Sequence, residues 1–402
     1  MKILILPKLL PRSNVIGGPI LIFHRIKNLS EMGHKISLIA PVFDDLDRED
    51  TSLDSYCEKI IKIEAPESRT NEEVLELQAR FNRPRYIVRG YYQELQDALD
   101  KEVQDAYYDA LIAEYSVMGQ YFHNNPRIPD DTNTIISCHE CYTKAARRRA
   151  EKAKGTPQEQ EELFDAWELE DYEFKMYDAA DLVLTLTPQD RDIILSFAPR
   201  LREKIEIVPH GVDTSFYTPP KERSIETKKI LYLGNYQHHP NVDAVYNFVN
   251  NCWGRIKERF PEAQFHIVGY HPPEEFYDLG EGIFPREGGV DVRKFYWSCD
   301  VFVAPLELGG GLRGKILEAL ACGIPIVSTR LGAEGINPDP DEILVADDDD
   351  YDVFTDHVIR LLSDKDFRDK ISANGLKLAK RFDHVNVAKR LDEVLRKMEA
   401  GR

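Results

Sequence analysis

The sequence predicts an α/β protein of two domains, each built on a doubly wound parallel sheet. Short apolar runs alternate with helix-favouring segments along all 402 residues, which is typical of consecutive βαβ units. The chain is also longer than one ordinary hydrophobic core supports. The strand series restarts after a turn-rich linker, HGVDTSFYTPPKERS. We therefore place a domain boundary near residues 211 to 225.

The two strand series give the domain assignment. The first series is predicted at Ile3 to Leu6, Ile36 to Ala40, Ile60 to Ile63, Ala110 to Ala113, Thr134 to Ser137, Leu182 to Leu186 and Ile205 to Val208. The second is predicted at Lys229 to Leu233, Gln264 to Val268, Val301 to Ala304, Ile324 to Ser328 and Ile343 to Val345. We assign residues 1–212 to the first domain and 213–383 to the second. The amphipathic helix at about 384–402 is a candidate to pack back on the first domain.

Two features distinguish the first domain. Residues 64–108 and 143–178 are charged and poor in strand signals, so we predict helical insertions there. The first strand leads into a loop with Gly17 and Gly18, and Ile22, Ile26 and Leu29 share one face of the helix that follows. Glycines in this loop let a ligand approach the backbone, although a turn that needs positive φ explains them equally well.

Composition limits the classes of function. The formal net charge is −18 and the chain has no long Lys/Arg run, which argues against nucleic acid as a partner; peripheral contact with a membrane stays open. The first residues lack a signal-peptide pattern, and no segment approaches the ~20 apolar residues of a membrane span, so we expect a cytoplasmic location. The Cys138-x-x-Cys141 motif lacks a second zinc-binding pair, and six cysteines in this length predict reduced thiols.

The segment from Val301 to Ile336 is the most informative part of the chain. It consists of an apolar strand, a glycine-rich loop, a short apolar helix and a second apolar strand, a layout that binds phosphate. A P-loop would need Ser or Thr after Lys315, where this chain has Ile316. A dinucleotide fingerprint belongs in the first βα unit of its domain, and this loop lies in a late one. Sugar-nucleotide binding is the third interpretation.

The third interpretation accounts for more residues of the loop. Backbone N–H groups around Gly309, Gly310 and Gly311 can converge on an anion at the start of the next helix, where the helix dipole also favours negative charge. Arg313 and Lys315 add two cations at that end. Cations oppose the dipole there unless a polyanion is bound, so the pattern favours a diphosphate.

Glu318 is the single carboxylate of the short apolar helix. An unpaired buried charge is costly, so we expect this side chain to have a partner. It lies about one turn from the predicted phosphate end, where it could accept hydrogen bonds from both hydroxyls of a ribose. An ion pair with a nearby Lys or Arg is the alternative, and the residues alone leave it open.

The segment KILEALACGIPIVST, which begins at Lys315, resembles the donor site of the retaining glycosyltransferases of group 1, glycosyltransferase family 4. The resemblance extends over nearly the whole chain and is strongest from 205 to 336. It also includes IVPHGVD at 207–213, ILYLGN at 230–235, FHIVG at 265–269, CDVFVAP at 299–305 and, in the first domain, ADLVLTLTP at 180–188.

This resemblance implies a GT-B fold, in which two Rossmann-like domains face a cleft, and the activity of a hexosyltransferase. The enzyme would transfer a sugar, with retention, from a nucleoside-diphosphate sugar to a hydroxyl of a carbohydrate, lipid-linked or small-molecule acceptor. Leaving diphosphate would be stabilised by Arg313 and Lys315, and His139 would contact the transferred sugar, which makes these the three candidate catalytic residues. The candidate donor-binding residues are Gly17, Gly18, His210, Gly234, Asn235, Gly310, Gly311 and Glu318.

Two departures from the family pattern stand out. Many members place a glutamate eight residues before the ribose-binding one, where this chain has Gly310, and Glu307 is out of register. The Arg and Lys that usually follow the first strand of the second domain are absent after Gly234, and Arg313 and Lys315 could replace them. The Gly310 departure motivates a degenerate, non-catalytic transferase as one alternative. A nucleotide-sugar epimerase, which can share the same two-domain architecture, is the other.

Candidate metal ligands are confined to acidic pairs. Asp45 and Asp47, Asp339 and Asp341, and the run from Asp347 to Asp350 could each hold a divalent ion on a diphosphate. The last run precedes an apolar-periodic helix, which favours N-terminal capping. Since cations and a helix end are already available, we expect neither a metal nor another cofactor.

Overall fold

The computed structural model describes residues 1–13, 18–66, 69–221, 228–289, 291–309 and 311–400. Gly17 and Gly310 lie outside the described residues. The chain forms two compact units, one of residues 1–208 with 388–402 and one of residues 209–387. Unit 1 and unit 2 are used below for these two parts.

Unit 1 is built on a parallel sheet with the strand order β3-β2-β1-β4-β5-β6-β7 over the described residues. Every predicted strand of the first series is confirmed, with ends that differ from the prediction by at most two residues. The strands are β1 (Lys2–Pro7), β2 (Lys35–Val42), β3 (Lys59–Glu64), β4 (Ala110–Glu114), β5 (Asn133–Cys138), β6 (Leu182–Thr185) and β7 (Ile205–Ile207).

The central strands of unit 1 are apolar throughout because the sheet is covered on both faces. Ile3 to Leu6 of β1 are completely buried. The register aligns Pro7 with Glu114 and Glu114 with Ser137, so the carboxyl ends of β1, β4 and β5 lie at one level. The strand order reverses between β1 and β4, which is where doubly wound sheets bind their ligands.

The helices of unit 1 agree with the predicted pattern. Ile22, Ile26 and Leu29 are buried on one face of the first helix, and Gly33, at φ +91°, follows its end. The two predicted insertions are helical. The helices are α1 (Gly18–Glu31), α2 (Asp45–Glu49), α3 (Asn71–Phe81), α4 (Arg85–Val88), α5 (Gln93–Asp105), α6 (Tyr142–Lys152), α7 (Glu159–Ala179) and α8 (Pro188–Phe197).

Unit 2 contains a second parallel sheet, with the order β10-β9-β8-β11-β12-β13 in the part of the chain described. Its strands are β8 (Lys229–Asn235), β9 (Gln264–Tyr270), β10 (Ile283–Glu287), β11 (Val301–Ala304), β12 (Ile326–Thr329) and β13 (Leu344–Ala346). Its helices are α9 (His239–Phe248), α10 (Gly254–Arg259), α11 (Arg293–Ser298), α12 (Gly314–Ala321), α13 (Tyr351–Ser363) and α14 (Lys365–Arg381).

One strand of unit 2 contradicts the sequence prediction. The predicted second series has no strand between Val268 and Val301, but β10 lies there and includes Pro285 to Glu287. This strand is the edge of the sheet and pairs with β9 alone, with Pro285 opposite Ile267. An edge strand tolerates a proline because one side of the strand needs no ladder hydrogen bond.

The last helix, α15 (His384–Ala400), begins in unit 2, and its residues from 388 onward belong to unit 1. Leu391 and Leu395 are completely buried. Nε2 of His34 lies 2.7 Å from Oδ1 of Asp392. No described helix is both long enough and apolar enough to cross a membrane.

Candidate functional site

Lys315 lies in the first turn of α12 and is directed towards the carboxyl end of β8. Its Nζ donates hydrogen bonds to Oη of Tyr232, at 2.9 Å, and to Oδ1 of Asn241, at 2.7 Å. Burial lowers the pKa of Lys315 to about 7, the charge of Arg313 adds to this effect, and Glu318 opposes it. The lysine is thus a buried amine that gains a proton near neutral pH when an anion approaches.

Gly234 and Asn235, the predicted donor-binding residues at the end of β8, are joined to Lys315 through Asn241. The Asn241 amide donates to the backbone oxygen of Asn235 at 2.7 Å. A Cβ on Gly234 would lie 3.0 Å from Cβ and Cγ of Asn241, so the close approach of α9 to the strand end requires a small residue there.

Glu318 lies one turn beyond Lys315 on α12 and is held by two phenols. Oη of Tyr296 is 3.1 Å from Oε2 of Glu318, and Tyr217 forms a second side-chain hydrogen bond. Burial raises the pKa of Glu318 above its usual value, although the hydrogen bonds from the two tyrosines and the charge of Lys315 act in the opposite direction. The hydrogen bonds to the carboxylate therefore come from tyrosines, and Lys315 acts on it through its charge.

The glycine-rich loop before α12 includes two residues in the left-handed region, Gly309 at φ +101° and Gly311 at φ +81°. The N–H of Gly311 donates to Oε2 of Glu334 at 3.0 Å. Burial lowers the pKa of Arg313, and the charge of Glu334 opposes that effect. Glu334, a residue that the sequence analysis did not select, thus accepts a hydrogen bond from one of the backbone donors of this loop.

His210 and Glu307 of unit 2 contact residues outside the cluster around Lys315 and Glu318. His210, predicted to bind the donor, has its Nδ1 2.5 Å from the Gly211 oxygen and its ring 6.2 Å from that of His384. Glu307, the carboxylate close to the position of the usual family glutamate, is exposed and accepts a hydrogen bond from Oη of Tyr351.

His139 of unit 1 follows β5 and points back to the end of β4. Its Nε2 lies 2.8 Å from Oε2 of Glu114. Arg25, from α1, binds the other oxygen of Glu114 and also donates to Oγ of Ser137 at 3.0 Å. Burial by itself raises the pKa of Glu114, but Arg25 and the hydrogen bond from His139 outweigh it and hold the value at about 2.

Gly18 and Tyr115 complete this second group of residues. The Tyr115 ring stacks on the His139 ring, with centroids 4.1 Å apart and planes 23° apart. Tyr115 has φ +76°, a backbone strain that is characteristic of functional sites. A Cβ on Gly18 would lie 1.7 Å from Oη of Tyr115 and 3.5 Å from Nδ1 of His139, so the start of α1 approaches both rings.

The structure thus gathers the predicted residues into two groups. In unit 1, Gly18 and His139 meet; in unit 2, Gly234, Asn235, Gly311, Arg313, Lys315 and Glu318 do. Sequence reasoning missed the side chains that hold them in place. Glu114 carries a weak signal, since it is a carboxylate that ends an apolar strand. The missed residues are Arg25, Glu114, Tyr115, Tyr217, Tyr232, Asn241, Tyr296 and Glu334.

The acidic pairs and cysteines have structural roles. Asp350 caps α13 by accepting from the Val353 N–H at 3.0 Å, as predicted, and Asp47 accepts from the Phe43 N–H at 3.0 Å. Cys138 is a buried free thiol whose pKa burial raises to about 12. Within the described ranges, no group of three or more His, Cys, Asp or Glu side chains is arranged to hold a metal ion.

Two family models match adjoining parts of the chain. One, described as Glycosyltransferase Family 4, matches residues 17–216, and the other, described as Glycosyl transferases group 1, matches residues 227–364. Together they include both groups of candidate site residues.

Curated relatives are similar over part of their length. The chain is 30% identical over 137 residues to O-antigen chain mannosyltransferase B of Escherichia coli, which is 33% of this chain and 30% of the relative. It is 26% identical over 261 residues to D-inositol 3-phosphate glycosyltransferase of Corynebacterium jeikeium, which is 57% of this chain and 59% of the relative. The chain therefore spans less than two thirds of the length of these relatives.

Solved structures share the fold over the whole chain. Sucrose-phosphate synthase of Thermosynechococcus elongatus has a TM-score of 0.68 at 16% identity, with 100% of both chains covered. HepE of Anabaena in complex with UDP also has a TM-score of 0.68, at 13% identity, with 99% of this chain and 100% of HepE covered.

Proposed function

This chain belongs to the group 1 glycosyltransferases of family 4 and has their GT-B fold, and from that premise we propose that it transfers a hexosyl group from a nucleoside-diphosphate sugar to an acceptor hydroxyl. The observation that carries the donor class is the cluster at the start of α12. There, two cations and a carboxylate lie side by side at the carboxyl ends of β8 and β11.

The cations fit a diphosphate. Arg313 and Lys315 are both desolvated, and the charge of Arg313 further disfavours the charged form of Lys315. A diphosphate placed between them would relieve that repulsion, and the N-terminus of α12 would add to the attraction. We propose that it displaces the Glu334 carboxylate from the Gly311 N–H as it binds.

The carboxylate fits a ribose. Tyr296 and Tyr217 hold Glu318 from the protein side, and an ionised carboxylate can accept further hydrogen bonds from two vicinal hydroxyls. Its position one helical turn from Lys315 is close to the spacing between the ribose and the diphosphate of a nucleotide.

For the reaction, we propose that Arg313 and Lys315 stabilise the negative charge that develops on the leaving diphosphate. The acceptor hydroxyl would attack from the same face, assisted by that phosphate, which would retain the anomeric configuration. His139 of unit 1 would bind a hydroxyl of the transferred sugar.

The relatives are described as mannosyltransferases, inositol-phosphate glycosyltransferases and a galactosyltransferase acting on a diphosphoundecaprenol-linked sugar. The acceptors that the last two names give, an inositol phosphate and a lipid-linked GlcNAc, present a cyclitol or a sugar hydroxyl. We therefore propose a carbohydrate or lipid-linked saccharide as the acceptor class for this chain.

The test is a panel of UDP, GDP and ADP sugars, assayed for nucleotide release with and without saccharide acceptors. The expected result is acceptor-dependent release from one donor. Glu318→Gln should weaken binding of that donor by roughly tenfold to a hundredfold, since a hydrogen bond to a charged group contributes about 1.5–3 kcal/mol. Glu307→Gln is the matched control, because this exposed glutamate lies on the loop before the same helix.

Three outcomes would contradict the proposal. Conversion of the donor without an acceptor would indicate an epimerase. Donor binding without turnover under any acceptor condition would indicate a degenerate transferase. Equal effects of Glu318→Gln and Glu307→Gln would remove Glu318 from the donor site.

A further inference from the structure

The side chains of Arg25, Glu114 and His139 form a continuous buried line in unit 1. The side chains of Arg25 and Glu114 are 3% and 0% exposed, and that of His139 is 6% exposed. The three come from different elements, since Arg25 belongs to α1, Glu114 ends β4 and His139 follows β5. The parallel register places Glu114 beside Ser137, near His139, and the packing of α1 brings Arg25 to the same carboxylate.

The protonation of Glu114 determines which nitrogen of His139 bears a hydrogen. Glu114 is ionised, because Arg25 and His139 hold its pKa at about 2 against the effect of burial. An ionised carboxylate can only accept hydrogen bonds. Nε2 of His139, at 2.8 Å, must therefore be the donor.

Arg25 is the partner of Glu114 at the carboxylate oxygen that does not face His139. The guanidinium already neutralises Glu114 and is tied to Ser137, so the carboxylate orients the ring while its charge is balanced from the other side. In the neutral ring, a hydrogen on Nε2 leaves Nδ1 with a lone pair.

Nδ1 faces the turn that begins α1. It lies 3.5 Å from the position that a Cβ on Gly18 would occupy, and the hydroxyl of Tyr115 lies 1.7 Å from that same position. Tyr115 stacks on the ring at 4.1 Å and restricts its rotation.

We propose that Arg25 and Glu114 are positioning residues that hold His139 as the Nε2–H tautomer, so that Nδ1 is the ring nitrogen left to accept a hydrogen bond from a substrate hydroxyl. This inference deepens the proposed function and rests on it, because the substrate that His139 would bind is the one proposed there. The side-chain arrangement itself can be tested without substrate.

The first experiment measures the ring nitrogens of the native protein by NMR after labelling histidine with ¹⁵N. The His139 signals are those missing from His139→Gln. At a pH where the ring is neutral, the expected spectrum shows hydrogen on Nε2 and a lone pair on Nδ1. Hydrogen on Nδ1, or a mixture of both tautomers, would overturn the proposal.

The second experiment changes the positioning residue. In Glu114→Gln the amide can turn and donate to Nε2, so both tautomers should appear. The kcat of transfer should fall by about tenfold to a hundredfold, as for other residues that orient a functional histidine. Arg25→Lys keeps a cation beside Glu114 and should retain the tautomer.

The matched control is Glu102→Gln. Glu102 is also a buried carboxylate of unit 1, and it binds Tyr108 and Lys59 instead of a histidine. It should lose stability without any change in the His139 spectrum. An unaltered His139 spectrum in Glu114→Gln would contradict the positioning role, and if that variant fails to fold, the native spectrum and Arg25→Lys still decide.

The two proposals fail separately. Absence of transfer from every donor, together with the Nε2–H tautomer, would overturn the proposed function and leave the positioning role supported. Transfer activity together with the opposite tautomer would do the reverse.

Discussion

Lys315 is a buried amine that we expect to take up a proton when an anion binds beside it. Burial holds its pKa at about 7 instead of the usual 10.5, so near pH 7 the amine of the free protein is about half protonated. A bound diphosphate favours the charged form and raises the pKa, so binding takes up protons. We expect an uptake of about half a proton per nucleotide at pH 7, and affinity that falls as pH rises above 7.

Calorimetric titration of UDP, GDP and ADP in buffers of different ionisation enthalpy measures this uptake. Lys315→Met should abolish the uptake and weaken binding. Lys229→Met, a change to a partly buried lysine of β8, is the control and should leave the uptake intact. Uptake that persists in Lys315→Met would assign the proton to another group.

The lowered pKa of Lys315 also determines how the stability of the fold depends on pH. The pKa of Lys315 in the folded state is below its unfolded value, so the charged amine opposes folding. The stability of the protein should therefore rise with pH between about 7 and 10.5 through this group. Lys315→Met should flatten that part of the curve, as measured by urea denaturation at several pH values.

Glu334 competes with the proposed anion for the N–H of Gly311. In Glu334→Gln the amide oxygen can keep that hydrogen bond while the negative charge near Arg313 disappears. We expect nucleoside diphosphates to bind about threefold to tenfold more tightly, because removal of a like charge from a partly buried site contributes on the order of 1 kcal/mol. Titration with the same three nucleotides checks this, and weaker binding would show that Glu334 helps to form the site.

At the scale of elements, the start of α1 depends on the absence of a side chain at Gly18. A Cβ there would lie 1.7 Å from Oη of Tyr115, so Gly18→Ala must displace the Tyr115 ring and the His139 ring stacked on it. We expect a loss of activity of at least about tenfold, since small displacements of catalytic groups are costly. The measurement is kcat for transfer.

Gly254 provides the contrast within α10. A Cβ there meets nothing within 4 Å, and alanine favours a helix interior over glycine by about 0.5–1 kcal/mol. Gly254→Ala should therefore raise the free energy of unfolding and leave activity unchanged. Equal activity in both variants would show that the space at Gly18 is not needed.

The elements themselves were predictable where pattern and environment agreed. The buried strand β1 is a continuous apolar run, and the amphipathic helix α1 has apolar residues along one face. Their sequences therefore predict both the type of element and the residues that are buried. β10 escaped prediction because Pro285, Arg286 and Glu287 resemble a loop, and only its pairing with β9 makes it a strand. Lys315 and Glu318 could be selected from the sequence as site candidates because they lie one helical turn apart, directly after the glycine-rich loop.

At the scale of the whole molecule, the end of the chain returns to its first unit. His34, with its side chain 1% exposed, lies 2.7 Å from Asp392 of α15. Asp392→Asn leaves the histidine with a weaker partner and should lower the free energy of unfolding by about 1–2 kcal/mol. Thermal unfolding measures the loss, and Asp105→Asn, at an exposed i,i+4 pair, should produce no detectable change.

The pair also predicts a pH dependence. Partial burial raises the pKa of Asp392, but hydrogen bonds with Arg396 and His34 outweigh it and lower the pKa below its usual 3.8. The stabilisation is therefore complete above about pH 4 and is lost as pH falls towards the lower value of the folded state. In acid unfolding experiments, the free energy of unfolding of Asp392→Asn should start lower than that of the native protein. It should also decrease less steeply as the pH falls.

The sequence by itself determined the two parallel α/β folds, the family and the local elements of the donor segment, because hydrophobic periodicity, glycine spacing and the Lys315 to Glu318 interval are encoded within short stretches of chain. Only the tertiary structure decided which groups hold these residues. Arg25, Glu114 and His139 are more than a hundred positions apart at their extremes, and Glu334 reaches Gly311 from beyond the next strand. Parallel strands place their carboxyl ends at one edge whatever their separation along the chain, so such contacts follow from sheet order and register, which no local pattern encodes.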